Sequence, residues 1–185
     1  MKLKKKILMV IAHRQFRDEE YDIPKTQFVQ KHFDVRVAST NVEIPAKGML
    51  GGEATADLLL EHVRVDEYDA VVFVGGEGAK SLWENKGALK VCVDAVKEKK
   101  ILAAICLAPV ILANAGVLEG KRATVFPSEQ ARILMRRGIY TGKTMEQDGK
   151  IITANGPSCS EVFARKILSE LELIEAAPEE GAYTL

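Results

Sequence analysis

Charge of one sign is what this sequence most plainly lacks: 26 Lys and Arg meet 26 Asp and Glu, and the formal net charge is zero. Nucleic acid is held through clustered cations, and no Lys/Arg-rich block exists beyond the short Lys2–Lys6 start, which argues against DNA or RNA as a partner. Long hydrophobic runs are missing too. The apolar stretch nearest the N-terminus, Ile7 to Ala12, falls far short of the ~20 residues that span a bilayer. No small-residue cleavage site follows it, so the expectation is a cytoplasmic protein with no membrane partner. Cysteine is scarce: Cys92, Cys106 and Cys159 are an odd number with no C-x-x-C pairing, which speaks against a disulfide framework and against a zinc site. Neither a metal nor a cofactor is expected. Internal repeats and low-complexity segments are absent as well.

What is present is a chain of 185 residues, 47% of them hydrophobic, enough for one domain over 1–185 that buries about 68–70% of its unfolded surface. The stretch from about 175 to 185 reads as a C-terminal tail. Three nearly unbroken apolar runs, ILMVIA (7–12), VVFV (71–74) and ILAAI (101–105), read as strands, with DVRVAS (34–39) as a more alternating fourth. Runs without a polar face belong to parallel strands covered on both sides. The segments between them carry helical patterns. RDEEYDIPKTQFVQKHF opens with acids suited to a helix N-terminus, with Tyr21, Ile23, Phe28 and Val29 as an inward stripe and Pro24 in the first turn or at a kink. Leu82, Leu89, Val93 and Val96 recur at near-helical spacing after the GGEGAKS turn. CLAPVILANAGVLEGK forms a third unit, in which Pro109 is tolerated only in the first turn and Gly116 and Gly120 are terminators. SEQARILMRRG reads as a helix, KIITANG as a strand, and SCSEVFARKILSEL as a closing helix entered through Pro157. Residues 42–64 fit least well, with KGMLGG as a loop or small hairpin and ATADLLLEHV as a short helix. The alternation predicts a doubly wound, mostly parallel sheet with helices on both faces, a three-layer α/β/α sandwich.

Ligands of such folds meet the carboxyl ends of the strands, which directs attention to 13–20, 75–78, 106–107 and 155–158. The segment Gly75-Gly76-Glu77-Gly78-Ala79-Lys80-Ser81 nearly spells a phosphate-binding loop, but Ala79 stands where glycine is required. A flavin site fails because AHRQFRDEE has no Gly/Ser/Thr-rich loop. Cys106 falls at a strand-to-helix junction. There it is either a nucleophile whose thiolate the helix N-terminus stabilises, lowering its pKa, or an inert small hydrophobe continuing the apolar run. Cys92, inside KVCVDAV, reads as buried and inert. Cys159, near a helix start, could approach the same rim as a resolving thiol if its Cα lay within about 7 Å of that of Cys106.

The string AAICLAPVILANAGVLEGKRAT, with VVFVGGEGAKSLWEN upstream and FRDEEYDIP near the start, resembles the superfamily of the PfpI intracellular protease and the Parkinsonism-associated deglycase, within the class I glutamine amidotransferase-like group. The likeness covers most of the chain. It implies a flavodoxin-like fold, a homo-oligomer, most simply a dimer, and a small-molecule substrate. By the same resemblance Cys106 matches the family nucleophile, and Glu20, four residues before Pro24, the carboxylate that contacts it. The backbone N–H of Gly76 and that of Leu107 match an oxyanion hole. Read without the resemblance, Glu20 is a solvated acid at a helix N-terminus, the part that Asp18 and Glu19 are expected to play.

Two departures stand out. Leu107 occupies the place of the histidine that follows the cysteine in protease-like members, and Phe126, before Pro127, that of the deglycase branch's histidine. Of His13, His32 and His62, only His13 lies at the carboxyl end of a strand, where it is either a replacement base or bonded to a loop carbonyl. His32 and His62 read as structural or solvated. The expected function is a cysteine-dependent enzyme acting on small electrophilic carbonyls, glyoxalase- or deglycase-like and protective under stress. The alternatives are a redox sensor or chaperone using the same cysteine, and a protease or amidase of the PfpI type. Amide cleavage is disfavoured because expelling an amine calls for a positioned acid such as the absent histidine.

Overall fold

Strands that are apolar on both faces need cover above and below. In the computed structural model, which describes residues 5–176, two layers of helices supply it around a seven-stranded sheet. The chain runs through β1 (Lys6–Val10), α1 (Asp18–Gln30), β2 (Asp34–Ser39), β3 (Leu58–Leu59), β4 (Ala70–Phe73), α2 (Lys86–Lys97), β5 (Ile101–Ile105), α3 (Pro109–Asn114), α4 (Gln130–Met135), β6 (Met145–Asp148), β7 (Ile151–Ala154) and α5 (Ser160–Ala176). The strands lie in the order β6-β7-β5-β4-β1-β2-β3, every neighbouring pair parallel except β6 with β7. This is the flavodoxin-like α/β fold.

Side-chain alternation along β1 divides the core in two. Ile7 and Met9 pack with Tyr21 and Phe28 of α1 and with Phe163 and Ile167 of α5. Leu8 and Val10 pack on the other face with Val91 and Cys92 of α2 and with Val110 and Ile111 of α3. All eight of these large aliphatic and aromatic side chains on α1, α5 and β1, and those of α3, are buried, each worth about 1.5–3 kcal/mol relative to exposure.

Three expectations are corrected. Helix α1 buries Tyr21, Pro24 and Phe28 while Ile23 and Val29 stay exposed, and Pro24 lies in the second turn, so the N–H that would bond the Glu20 carbonyl is missing. Helix α2 starts at Lys86, capped by the Asn85 side chain on the N–H of Ala88 at 3.0 Å. That phase buries Ala88, Val91, Cys92 and Ala95 and turns Val93 and Val96 to solvent, because the small residues allow the closer approach to the sheet. The ATADLLLEHV segment is no helix. Leu58–Leu59 extends the sheet as β3 and a 3₁₀ turn follows at Leu60–His62, an arrangement fixed when Asp57 exchanges backbone and side-chain bonds with Val37, both at 2.7 Å. Helix α5 runs through Ala176, and the rest of the expected tail, 177–185, lies outside the described residues. Among the described residues no helix is long and apolar enough to cross a membrane.

Candidate active site

The carboxyl ends of β1, β4 and β5 converge on Cys106. The residue directly follows β5, its N–H donates to the carbonyl of Ala154 at 2.9 Å and its carbonyl accepts from the N–H of Phe126 at 2.9 Å. Pinned on both sides, Cys106 adopts φ +64°, a left-handed conformation that costs a non-glycine residue of order 1–3 kcal/mol. The turn aims the side chain out of the sheet edge, toward a pocket of about 150 Å³ lined by Arg17, Met49, Gly76, Leu107, Phe126 and Pro157 among others. Only 7% of the residue remains exposed.

Glu20 reaches this point from the first turn of α1 and is fully buried. One carboxylate oxygen, Oε2, accepts the N–H of Gly75 at 3.0 Å, and the other, Oε1, is buried without a hydrogen-bond partner. Burial raises its pKa to about 7, against the lowering effects of the Cys106 thiol and of the Gly75 N–H. Glu20 is therefore not the solvated helix acid that its position suggested. The Cys106 thiol also moves opposite to expectation. Burial and then the Glu20 charge push it up to about 12, while the N–H groups of Gly76 and Leu107, both directed at the sulfur, pull the other way. The helix that was to stabilise thiolate has six residues and begins at Pro109, so its end contributes little at the sulfur. Thiolate and Glu20 carboxylate oppose one another, and the proton is shared as a property of the pair.

Close packing leaves no freedom at the glycine turn. A Cβ on Gly75 would fall 2.5 Å from Glu20 Oε2 and 2.6 Å from both Cys106 Cβ and the Ile105 carbonyl oxygen. Gly76 has φ +94°, and its Cβ would fall 2.5 Å from the backbone nitrogen of Arg17. The Arg17 N–H in turn donates to the Gly75 carbonyl at 3.0 Å. Leu107 is held from behind, its carbonyl accepting the indole N–H of Trp83 at 3.1 Å, and the Arg132 guanidinium stacks 4.3 Å above that ring.

The structure thus brings together Cys106, Glu20, Gly76 and Leu107. His13 does not join them: it is not among the pocket-lining residues, its carbonyl accepts the Lys47 N–H at 3.0 Å, and its Nδ1 is buried without a partner. No histidine lines the pocket; Phe126 presents its half-exposed ring there instead. His62 is exposed beside Glu61, and His32 follows α1 with φ +64°. All three cysteines are free thiols. Cys159 donates to Asn155 Oδ1 at 3.3 Å, and the fully buried Cys92 has its pKa raised by desolvation. Among the described residues no cluster of His, Cys, Asp and Glu could hold a metal ion.

Sequence reading missed Arg17, Met49, Trp83 and Asp18. Arg17 lines the pocket with its guanidinium fixed by Glu19, at 2.7 and 3.0 Å, so Glu19 pairs rather than acting as a free helix acid. Asp18 is buried and accepts the N–H groups of Leu50 and Gly52. Its partners lie more than thirty residues away, and no local pattern announces them.

Known proteins match this chain over most of its length. The DJ-1/PfpI family model matches residues 5–170. An uncharacterised protein of Methanocaldococcus jannaschii is 38% identical over 170 residues, covering 90% of this chain and 82% of its own. The deglycase PfpI of Pyrococcus furiosus is 26% identical, covering 90% of this chain and 99% of its own. Among solved structures, a ThiJ/PfpI domain protein from Brachyspira murdochii superposes with a TM-score of 0.89 at 34% identity, covering 92% of this chain and 99% of that one.

Proposed function

The chain belongs to the DJ-1/PfpI family, and from that premise we propose that it is a cysteine-dependent enzyme acting on small electrophilic carbonyl compounds, 2-oxoaldehydes or their adducts, in the manner of a glyoxalase or deglycase. The observation that carries the proposal is the pairing of Cys106, held at φ +64° over the pocket, with the carboxyl group of the buried Glu20. Relatives named deglycases add support.

The proton inventory suggests the order of events. With Glu20 titrating near 7 and the thiol near 12, the resting pair keeps its proton on sulfur when Glu20 is ionised. As the aldehyde carbon approaches, the thiol proton passes to Glu20 and sulfur attacks, so the nucleophile is made at the moment it is used. The carbonyl electron pair moves onto oxygen. That alkoxide is received by the N–H groups of Gly76 and Leu107, each such donor being worth about 2.7–4 kcal/mol in measured hydrolases. Glu20 returns its proton to the alkoxide, giving a hemithioacetal. It then takes the proton from the hemithioacetal carbon and gives it to the neighbouring ketone oxygen, forming an enediol, after which it takes the hydroxyl proton of the sulfur-bearing carbon and delivers it to the second carbon, leaving a thioester carbonyl. The resulting 2-hydroxy thioester is hydrolysed by water, which releases a 2-hydroxy acid and restores the thiol.

Every proton moves through one carboxyl group, and no histidine is required. Amide cleavage fits less well, because the leaving amine would need a positioned acid, and the two pocket positions at which the resemblance leads one to expect histidine hold Leu107 and Phe126. Turnover of methylglyoxal by the purified protein tests the reading. Cys106→Ser should abolish it and Glu20→Gln should lower it by at least about 100-fold, the scale of a lost general acid–base group. Full turnover in either variant refutes it.

A further inference from the structure

The two inward acids of the first turn of α1 serve different places. Residues two apart on a helix do not face each other, so while Glu20 points to Gly75 and Cys106, Asp18 points to the turn at 48–52. Its carboxylate accepts two backbone donors there, Leu50 N–H at 2.8 Å and Gly52 N–H at 2.7 Å. The fit is sterically tight. A Cβ on Gly48 would lie 2.3 Å, and one on Gly52 2.4 Å, from Asp18 Oδ1, so both glycines are shaped around that one side chain. The same turn closes on itself through the Gly48 N–H and the Gly52 carbonyl at 2.8 Å, and is tied to the short strand Arg14–Phe16, between β1 and α1, through the Met49 N–H and the Phe16 carbonyl at 2.9 Å.

Met49, at the tip of this clamped turn, forms one wall of the Cys106 pocket, and its sulfur accepts the Glu77 N–H at 3.4 Å from the opposite rim. The chain therefore runs from Asp18 to the turn, from the turn to Met49, and from Met49 to the space in front of the thiol. We propose that Asp18 is a specificity-determining positioning residue, which clamps the 48–52 turn so that Met49 restricts the Cys106 pocket to compact electrophiles. This rests on Cys106 being the nucleophile of the carbonyl chemistry above. It goes beyond that reading by assigning the size limit of the substrate to a residue that never touches it.

The test compares second-order rates of Cys106 alkylation, followed by peptide mass spectrometry, for a small reagent, iodoacetamide, and a bulky one, N-phenylmaleimide. In Asp18→Ala the ratio of bulky to small rate should rise about tenfold or more, the scale at which a pocket discriminates one or two methylenes. The iodoacetamide rate should stay within about twofold. Met49→Ala, which removes the wall and leaves the clamp, should give the same rise and serves if Asp18→Ala fails to fold. Gly52→Ala should displace the carboxylate and raise the ratio in the wild-type background, yet add nothing in Asp18→Ala, as expected if both changes act on the ratio through the one contact. Asp18→Asn, with one amide oxygen left to accept, should fall between. An unchanged ratio in folded Asp18→Ala, an unchanged ratio in Met49→Ala, or simple additivity of the Asp18 and Gly52 changes overturns the proposal. Alkylation needs no turnover, so a protein inert toward methylglyoxal that still shows these ratio shifts would retire the carbonyl reading and leave the clamp in place.

Discussion

Replacing Glu20 by Gln isolates the energetic consequence of burying a carboxyl group beside a thiol. The carboxyl pKa rises from 4.5 to about 7 in the folded protein, chiefly through desolvation. Between those values the native state holds a proton that the unfolded chain has released, so stability is greatest below pH 4.5 and declines as pH rises toward 7. At about 1.4 kcal/mol for each tenfold step, the gap amounts to about 3 kcal/mol. Gln has the same shape, can accept the Gly75 N–H, and does not titrate. The variant should therefore be close to wild type in stability at pH 5 and more stable by about 2–3 kcal/mol at pH 8. Urea unfolding at the two pH values, followed by the fluorescence of Trp83, the only tryptophan, measures the difference. Parallel pH profiles for the two proteins would show that Glu20 is not titrating in this range, and would remove the proton carrier from the proposed mechanism.

Gly75→Ala should lower stability by about 1–3 kcal/mol, since its Cβ meets Glu20, Cys106 and Ile105 together, and should suppress methylglyoxal turnover far more than thermal melting alone accounts for. Graded peroxide followed by peptide mass spectrometry should oxidise Cys106, at the pocket, well before the fully buried Cys92; equal oxidation of the two would contradict the assigned site. Leu107→His restores a proton donor beside the nucleophile and should raise amidase activity on small amide substrates; no change would break the argument from the missing histidine. Sedimentation at micromolar concentration should give a dimer or larger, and a clean mass near 20.3 kDa would refute the oligomer expectation.

Strand-forming runs were legible because burial on both faces leaves an unbroken apolar string: Ile101–Ile105 in the structure coincides with the string ILAAI, and the strands around VVFV and ILMVIA differ by a residue or two. Cys106 was legible for a related reason, since the end of such a strand is where these sheets expose reactive groups. Helix phase was not. Ala88 and Ala95 carry too little hydrophobicity to mark an inward face, while Val93 and Val96 carry enough to suggest the wrong one, and only packing against β4 and β5 decides between them. Segment 42–64 misled because Leu58 and Leu59 are equally apolar in a helix or in an edge strand, and the choice depends on bonds from Asp57 to Val37 across twenty residues. The chemistry of the site divides in the same way. Sequence by itself pointed to Cys106 as the candidate nucleophile, with Glu20 and the glycine turn at Gly75 and Gly76 beside it, because family motifs preserve residue order. Only the tertiary structure decided that Glu20 is buried and that the thiol is pushed up rather than down. It alone brought Met49 and Arg17 to the pocket and Asp18 to the turn that carries Met49, since desolvation and long-range hydrogen bonds depend on which distant segments meet in space.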